Sequence, residues 1–343
     1  MKRLLLVLVG LALALAAVEV WLVVRRVHTP YKGYAGAERF VEIPPGTSVA
    51  AIGYRLVEAG VIRDRLAYRY ALWRTGAGRD LKAGEYRFDR PMTPIEVVRT
   101  IQRGEVYLRP VTFPEGLTIA EMAAIYERAG FGRAAEFAEA ARRRDLVAAL
   151  DPAAEDLEGY LFPDTYALPR RAGAEEVVRL MVRRFERAFD APLREEAARR
   201  GLTVRQAVTL ASLVEKETGR PDERPLVAAV YHNRLRVGMP LQCDPTVIYA
   251  LQRDGRWSGN LRREDLRIDS PYNTYRYPGL PPGPIAAPGR ASLEAAVRPA
   301  EVPYLYFVSR NDGSHVFATT LVEHNRNVRQ YQVLYFRNSG GGR

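Results

Sequence analysis

An almost unbroken run of apolar residues near the N-terminus constrains this chain more than any other feature. The run extends from Leu4 to Val24, which is the length that crosses a lipid bilayer as a helix. A cleaved signal peptide is the alternative, but its apolar core is usually shorter. Basic residues flank both ends, and the very short N-terminal tail favours a cytoplasmic N-terminus. We therefore expect an uncleaved single-pass anchor in the cell membrane, with the rest of the chain outside the cytoplasm.

The composition is that of a globular protein. The chain has 343 residues, of which 47% are hydrophobic and 27% charged, so two compact units plus an appendage can each bury a core. The single cysteine, Cys243, excludes disulfide scaffolds and cysteine-based zinc sites. The net charge of +11 suggests a polyanionic partner, but no nucleic-acid-binding motif accompanies it. An anionic lipid surface or an acidic cell-wall polymer fits this charge better than nucleic acid.

Three similar segments follow a short polar tether at 28–38. They begin at Ile43, Phe88 and Phe113, and each is typical of a strand, a Pro/Gly turn, a threonine and an amphipathic helix. The threonines Thr47, Thr93 and Thr118 stand where an N-cap hydroxyl is expected, and Glu121 completes a capping box with Thr118. A further helix around 66–73 and a strand at 84–88 complete a small α+β module of roughly seventy residues, just large enough to fold alone with marginal stability.

The remainder of the chain is predicted to be largely helical. A helical region extends from 134 to about 198 and is broken by the non-helical segment 157–169. Two helices follow, at 204–218 and 224–237. The segment 270–289 is too rich in Pro, Gly and Tyr for regular structure and is typical of an ordered binding loop. A hairpin around the turn 311–313 and a terminal helix end the chain.

Two glutamates near the end of an apolar helix could carry acid–base chemistry. The sequence ASLVEKET, at 211–218, places Glu215 and Glu217 on opposite margins of the apolar arc, while Thr209, Ser212 and Lys216 lie on the polar face. Partial burial at such a margin would raise the pKa of a carboxyl group and keep it protonated as a general acid. On this pattern alone the simpler interpretation is that both residues are ordinary surface glutamates, and periodicity does not decide which of them would act.

Other polar residues are candidates for binding. Asn233 interrupts an apolar helical stripe and needs hydrogen-bond partners, which a neighbouring loop could supply. Asp244 precedes a proline, so its simplest role is that of a helix N-cap. Amides, carboxylates and aromatic rings of this kind also line sugar-binding clefts. The candidates in the loops and turns are Glu158, Gln242, Asp244, Thr246, Tyr272, Asn273 and Tyr275.

Metal-dependent and nucleophilic chemistry find no support in the sequence. The four histidines show no HExxH spacing, so a catalytic zinc site is not expected. The chain contains no G-x-S-x-G motif, and Cys243 has no basic partner nearby in the sequence. We therefore expect no metal and no cofactor.

Five motifs, taken in order, resemble one family: the membrane-anchored endolytic murein transglycosylases (the MltG, or YceG-like, family). They are ASLVEKET, VYHNRLRVGMPLQCDPTVIYAL, SPYNTYRYPGLPPGPIAAPG, SLEAAVRPA and YLYFVSRNDGSHVF, and the match extends from about 157 to 330. The resemblance implies an α+β chain with an anchor at 1–27, a tether at 28–38, a LysM-like module at 39–110, a mixed α/β catalytic domain at 111–338 and a flexible tail at 339–343. It assigns the catalytic role to Glu217 and leaves Glu215 a supporting or structural one.

The resemblance further implies a reaction and its partners. One carboxyl group protonates the glycosidic oxygen between N-acetylmuramic acid (MurNAc) and N-acetylglucosamine (GlcNAc), then takes the proton of the muramic 6-hydroxyl, leaving a 1,6-anhydro end. The residues expected to contact the substrate match the family's motifs, but their separate roles are undefined. They are Glu158, Asn233, Gln242, Asp244, Tyr272, Asn273 and Tyr275. Peptidoglycan strands and peptidoglycan synthases are the expected partners. The alternatives are a muramidase that uses Asp244 or Glu215 as second carboxylate, and a wall-binding scaffold without activity.

Overall fold

The computed structural model describes residues 2–335 and 337, and the predicted tail at 339–343 lies outside this range. The fold is mixed α/β, and the sheets among the described residues are small, with two strands each. The helices are α1 (Lys2–His28), α2 (Val49–Glu58), α3 (Arg65–Thr75), α4 (Pro94–Arg103), α5 (Ile119–Arg128), α6 (Ala134–Ala140), α7 (Ala174–Ala188), α8 (Ala191–Arg199), α9 (Val204–Glu217), α10 (Arg224–Arg236), α11 (Asp244–Arg253), α12 (Arg290–Val297) and α13 (Leu321–Val328). The strands are β1 (Arg39–Ile43), β2 (Gly84–Phe88), β3 (Leu108–Phe113), β4 (Asp164–Pro169), β5 (Tyr306–Ser309) and β6 (His315–Ala318).

The chain forms two compact units. The first contains 1–109 together with 167–171, and the second contains 110–166 and 172–343. In the first unit, β1 and β2 pair antiparallel, with Val41 opposite Tyr86. Alternate residues of both strands are buried against α2, α3 and α4, as expected for a small sheet with one face on a core.

The apolar N-terminal helix ends inside the core of the first unit. Its span from Leu8 to His28 is long and apolar enough to cross a membrane. Val27 is fully buried among the core residues of this unit, and Val23 packs against the same cluster. The segment 28–38, expected to be a tether, is held to the module: Tyr31 forms a bridge with Met92. The helix is therefore packed directly onto the module.

Helix capping agrees with the sequence at two of three positions. The capping boxes of Thr93 with Glu96 and of Thr118 with Glu121 are both present, so Thr93 and Thr118 are confirmed as N-caps. The prediction for Thr47 was wrong, because Ser48 caps α2 while the Thr47 hydroxyl donates to the Pro44 carbonyl. Counted from the end of the preceding strand, Ser48 occupies the place that Thr118 has in the third segment.

The second unit is built around α9, which packs against α8, α10, α11 and α12. Residues 207–214 of this helix are all buried, so Thr209 and Ser212, which lie on its polar face, are not exposed to solvent. The physical reason is the irregular segment 270–289, which covers the polar face: the Ile285 N–H donates to the Ser212 hydroxyl over 3.1 Å. As predicted, the segment 270–289 contains turns but no helix or strand.

The predicted helical region 134–198 is shorter and more broken than expected. Helix α6 has seven residues, and the chain then follows turns and a short 3₁₀ helix, Arg144–Val147. Tertiary bonds account for the difference, because the Asp151 carboxylate accepts hydrogen bonds from Tyr160 (2.6 Å) and Arg205 (2.9 Å). The C-terminal hairpin is confirmed, with Tyr306 of β5 opposite Ala318 of β6.

Candidate active site

One cavity of the second unit, about 310 Å³ in volume, combines several of the predicted site residues. The end of α9, the body of α10, the start of α11 and the β5–β6 hairpin form its wall. This arrangement brings together side chains that are up to about a hundred positions apart in the sequence. The lining residues are Glu217, Arg234, Leu241, Gln242, Asp244, Tyr275, Phe307, Val308, Ser309, His315 and His324.

Glu217 is the last residue of α9, and its carboxyl group is held by two donors. The Tyr231 hydroxyl of α10 donates to Oε1 over 2.9 Å, and the Cys243 thiol forms a second hydrogen bond. Burial raises the pKa of the Glu217 carboxyl, and the negative charge of Asp244 adds to this effect. The two hydrogen bonds and the charge of His315 act in the opposite direction, but the net pKa is raised. The group can therefore carry a proton to a reacting atom.

Tyr231 and Cys243 were not predicted as site residues. Burial raises the pKa of both side chains well above their ordinary values, so both stay protonated and act as donors. A buried, protonated thiol is a poor nucleophile, so Cys243 orients Glu217 and does not attack a substrate. Both residues lie in the motif VYHNRLRVGMPLQCDPTVIYAL, but a motif does not show which way a side chain points.

The turn before α11 is fastened to the loop that contains Asn273. The Cys243 N–H donates to the Thr274 hydroxyl over 3.0 Å, and Thr246 bonds the same hydroxyl at 3.0 Å. Gln242 has φ +51°, in the left-handed region, which costs free energy for a residue with a side chain. The tertiary bonds hold this strained turn, which brings Gln242 to the cavity wall.

Asp244 and Tyr275 form a pair at the cavity wall. The Tyr275 hydroxyl donates to Asp244 Oδ1 over 2.5 Å. The N-cap prediction for Asp244 was wrong, because Cys243 holds the N-cap position and Asp244 is already the first helical residue. The side chain of Asn273 supports this pair, since its Oδ1 accepts a hydrogen bond from the Tyr275 N–H over 3.0 Å. Asn273 is itself fully buried and donates to the carbonyls of Leu266 and Ile268, so it orders the loop and does not line the cavity.

Glu215 is engaged in a different environment. Its Oε1 accepts from Arg224 over 3.2 Å, and its Oε2 accepts from the Gly289 N–H over 2.9 Å, just before α12. Arg224 also bonds the Ser292 hydroxyl. These contacts connect α9, α10 and α12, and Glu215 does not line the cavity that contains Glu217.

Three of the predicted binding residues lie elsewhere. Asn233 lines a separate cavity, and its amide donates to the carbonyls of Val302 (2.8 Å) and Tyr304 (2.9 Å), so it holds the loop before β5. Glu158 lines another cavity of about 350 Å³, and Tyr272 lies beside it, where its hydroxyl accepts from Arg253 over 3.1 Å. The structure therefore does not bring Glu158, Asn233 and Tyr272 into the cavity of Glu217.

Glu158 is a second buried carboxyl group with a raised pKa. It is buried, and its carboxyl group accepts hydrogen bonds from the Ile119 N–H (3.1 Å) and the Tyr249 hydroxyl (3.3 Å). Burial, with a further contribution from the charge of Asp156, raises the pKa of Glu158 to about 8. Glu158 is thus protonated at neutral pH, but its partners are structural groups at the start of α5 and in α11.

Comparisons with known proteins give a consistent result. A family model described as the YceG-like family matches residues 41–330. A curated Bacillus subtilis protein named endolytic murein transglycosylase is 33% identical over 317 residues, covering 85% of this chain and 84% of the relative. A Streptococcus pneumoniae protein of the same name is 31% identical over 322 residues, and the match spans 58% of its length. The crystal structure of a YceG-like protein from Listeria monocytogenes superimposes with a TM-score of 0.58 at 32% identity, covering 85% of this chain and 99% of that one.

Proposed function

This chain belongs to the YceG-like family, as the motifs predicted, and on this premise we propose that it is a lytic transglycosylase acting on peptidoglycan. The relatives named above carry the name endolytic murein transglycosylase, which gives the reaction class. The observation that carries the proposal for this chain is Glu217, a carboxyl group with a raised pKa at the wall of an open cavity.

Glu217 acts first as acid and then as base. Its carboxyl group protonates the glycosidic oxygen between MurNAc and GlcNAc within a glycan strand, and the bond from that oxygen to the MurNAc anomeric carbon breaks. The muramic 6-hydroxyl attacks the same carbon, and its proton returns to Glu217. The product is a 1,6-anhydro end, and no water is consumed. Intramolecular attack benefits from proximity, so no second carboxylate is required.

The Tyr231 and Cys243 donors suit both halves of this cycle. When Glu217 has lost its proton, they stabilise the carboxylate through hydrogen bonds to a charged group, which are about twice as strong as neutral ones. When Glu217 is protonated, the surrounding burial keeps its pKa high enough to donate near neutral pH. Gln242, Asp244 and Tyr275 lie at the same cavity and are the proposed glycan contacts.

A muramidase remains the second candidate because Asp244 lines the same cavity as Glu217. A hydrolase of the usual kind needs a second carboxylate to activate water or to form a covalent intermediate. The Tyr275 hydroxyl occupies Asp244 Oδ1, which leaves the other oxygen for such a role. This arrangement makes Asp244 the residue to test if the products carry reducing ends.

The proposal extends to the location of the enzyme. The apolar helix α1 anchors the chain in the cell membrane, and the module at 39–110 is a LysM-like glycan-binding element. The catalytic domain at 111–338 then works outside the cytoplasm on nascent strands, beside peptidoglycan synthases. Direct packing of Val27 into the first unit supports this layout, because a helix anchored in the membrane would then hold the module close to the membrane surface.

The experiment is mass spectrometry of uncross-linked glycan strands after incubation with the full chain in detergent. The wild type is compared with Glu217→Gln and with Glu186→Gln, which changes the same charge on an exposed residue of α7. Anhydro-ended fragments from the wild type and from Glu186→Gln, but not from Glu217→Gln, would support the proposal. Reducing ends would favour the muramidase, and cleavage by Glu217→Gln would exclude Glu217 as the acid.

A further inference from the structure

His315, the first residue of β6, lines the cavity that contains Glu217. Two of its groups bond the same carboxylate: the backbone N–H donates to Glu223 Oε1 over 2.8 Å, and the ring Nδ1 lies 2.7 Å from Oε2. A two-point contact of this kind fixes both the strand end and the plane of the imidazole. The ring of Phe307 lies perpendicular to it, with the centroids 5.4 Å apart, and restricts rotation further.

The partner of His315 is a buried carboxylate. Glu223 is 5% exposed, and it also accepts a hydrogen bond from the Thr218 hydroxyl over 3.2 Å. Arg220 Nε lies 3.7 Å from Glu223 Oε1, so both oxygens of this carboxyl group face hydrogen-bond donors. A carboxyl group that accepts on both oxygens pairs with a donor, so Nδ1 of His315 carries the shared hydrogen. In the neutral ring this tautomer leaves the lone pair on Nε2, which is the nitrogen free to meet a ligand.

The His315–Glu223 pair is built onto the end of the helix that carries Glu217. Thr218, which bonds Glu223, directly follows Glu217 in the chain. The charge of His315 acts on Glu217, since a protonated imidazole favours the carboxylate form of its neighbour. A carboxylate-oriented imidazole beside a protonated carboxyl group is a usual arrangement for moving a proton between two positions.

We propose that His315 is a catalytic residue, which accepts the proton of the attacking 6-hydroxyl through Nε2 and passes it to Glu217, and that Glu223 is its positioning residue. In this step the C1–O6 bond forms and the bond from C1 to the leaving oxygen breaks. The proton of Glu217 goes to the leaving oxygen, and the hydroxyl proton goes to Nε2. Transfer from the imidazolium to the Glu217 carboxylate then restores both groups, and the balance needs no further reactant.

This inference rests on the transglycosylase function and specifies how the proton returns in that cycle. The charged and titratable groups of the site that face the imidazole or share its cavity come from several elements. They are Glu217 of α9, Arg220 and Glu223 before α10, Tyr231 and Arg234 of α10, Asp244 of α11, Tyr275 in the loop and His324 of α13. Each of these groups can contribute to the pH dependence of cleavage by His315 variants.

The test is chemical rescue in the full chain. His315→Ala is expected to form anhydro ends about 10² times more slowly, the lower range for loss of a general base. Added imidazole is expected to restore much of the rate, and 4-methylimidazole and other ring bases to restore it in proportion to their basicity. His232→Ala is the matched control, because that ring is also held by one hydrogen bond, to the Ala296 carbonyl, but lies outside the cavity. Its rate should not respond to imidazole.

Glu223→Gln is the second variant, and it tests whether Glu223 positions His315. The amide can hold the His315 backbone N–H but cannot stabilise an imidazolium, so we expect a lower kcat with little change in KM and a shifted pH profile. The inference is overturned if the cleavage rate of His315→Ala stays within about threefold of the wild-type rate. It is also overturned if His315→Ala loses activity, is not rescued by imidazole and keeps the wild-type melting curve, because proton transfer by the ring would then not explain the loss. If the wild type itself makes no anhydro ends, the transglycosylase proposal fails first.

Discussion

The Tyr231 hydroxyl donates a hydrogen bond to Glu217 Oε1 over 2.9 Å, and it does so from the neighbouring helix α10. The two residues are fourteen positions apart, and the bond fixes the direction of the carboxyl group that ends α9. Since the bond favours the carboxylate, it also opposes the pKa increase that burial imposes on Glu217.

Tyr231→Phe should therefore change the pH dependence of cleavage. Loss of the donor raises the pKa of Glu217 further, so the protonated acid persists to higher pH and the alkaline limb of the rate profile moves upward. We expect the maximal rate to fall roughly tenfold, because a hydrogen bond to a charged group contributes about 1.5–3 kcal/mol. The measurement is the rate of anhydro-end formation between pH 4 and 9.

Tyr166→Phe is the control for this change. Tyr166 is also buried, and its hydroxyl donates to the Phe162 carbonyl over 2.7 Å, but it lies outside the Glu217 cavity. It should lose stability without moving the pH profile. An unchanged profile in Tyr231→Phe would contradict the assigned contact.

Glu215→Gln should separate stability from catalysis. The substitution removes the buried carboxylate partner of Arg224, whose side chain is 9% exposed, and leaves this charge with the more exposed Glu115 carboxylate, 3.6 Å away. Breaking a buried pair in this way costs about 3–5 kcal/mol of the free energy of unfolding. Urea denaturation should show this loss, while the products at low temperature should still carry anhydro ends. Complete loss of cleavage in a folded Glu215→Gln chain would reopen the choice between the two glutamates.

Glu158→Gln should change the pH dependence of stability. The pKa of Glu158 is about 8 in the folded chain and 4.5 in its ordinary state, so between these values the folded chain holds a proton that the unfolded chain releases. Stability from this group is therefore complete below pH 4.5 and falls as pH rises towards 8. Each unit of pKa difference corresponds to about 1.4 kcal/mol.

An amide has no such titration and can still accept from the Ile119 N–H. Glu158→Gln should thus be more stable than the wild type at pH 8, with the difference shrinking at pH 5. Thermal unfolding at both values measures it, and Glu155→Gln, an exposed neighbour, is the control. Parallel curves for Glu158→Gln and the wild type would contradict the buried, protonated state.

The N-terminal helix should contribute to the stability of the first unit. A chain that begins at Trp21 keeps Val23 and Val27 in the core, whereas a chain that begins at Thr29 loses both. Full burial of one valine contributes about 1.5–3 kcal/mol, so the shorter chain should unfold at lower urea concentration. Val27→Ala in the longer chain should give part of the same loss. Equal midpoints for the two truncated chains would show that the helix is not part of this core.

Much of the local structure could be predicted because it depends on neighbours in the sequence. The capping boxes of α4 and α5, the strand at 84–88, the helix that carries ASLVEKET and the C-terminal hairpin all follow from side-chain period, caps and turn residues. The same rules gave the apolar N-terminal helix. These local rules failed around Asp151 and Ser212, because hydrogen bonds to other segments decide the structure there.

The sequence by itself determined the family, the elements and a short list of polar residues, because motifs and periodicity are properties of the chain order. Only the tertiary structure decided the environment of each residue. In the folded chain Glu217 accepts a hydrogen bond from Tyr231 and lies beside Cys243, whereas Glu215 pairs with Arg224. Helical spacing alone does not distinguish the two glutamates in this way. The tertiary structure also put His315 and Glu217 at one cavity, although they lie far apart in the chain. Burial and charge, which set the pKa of an acid, arise from packing of distant segments, and no local pattern contains them.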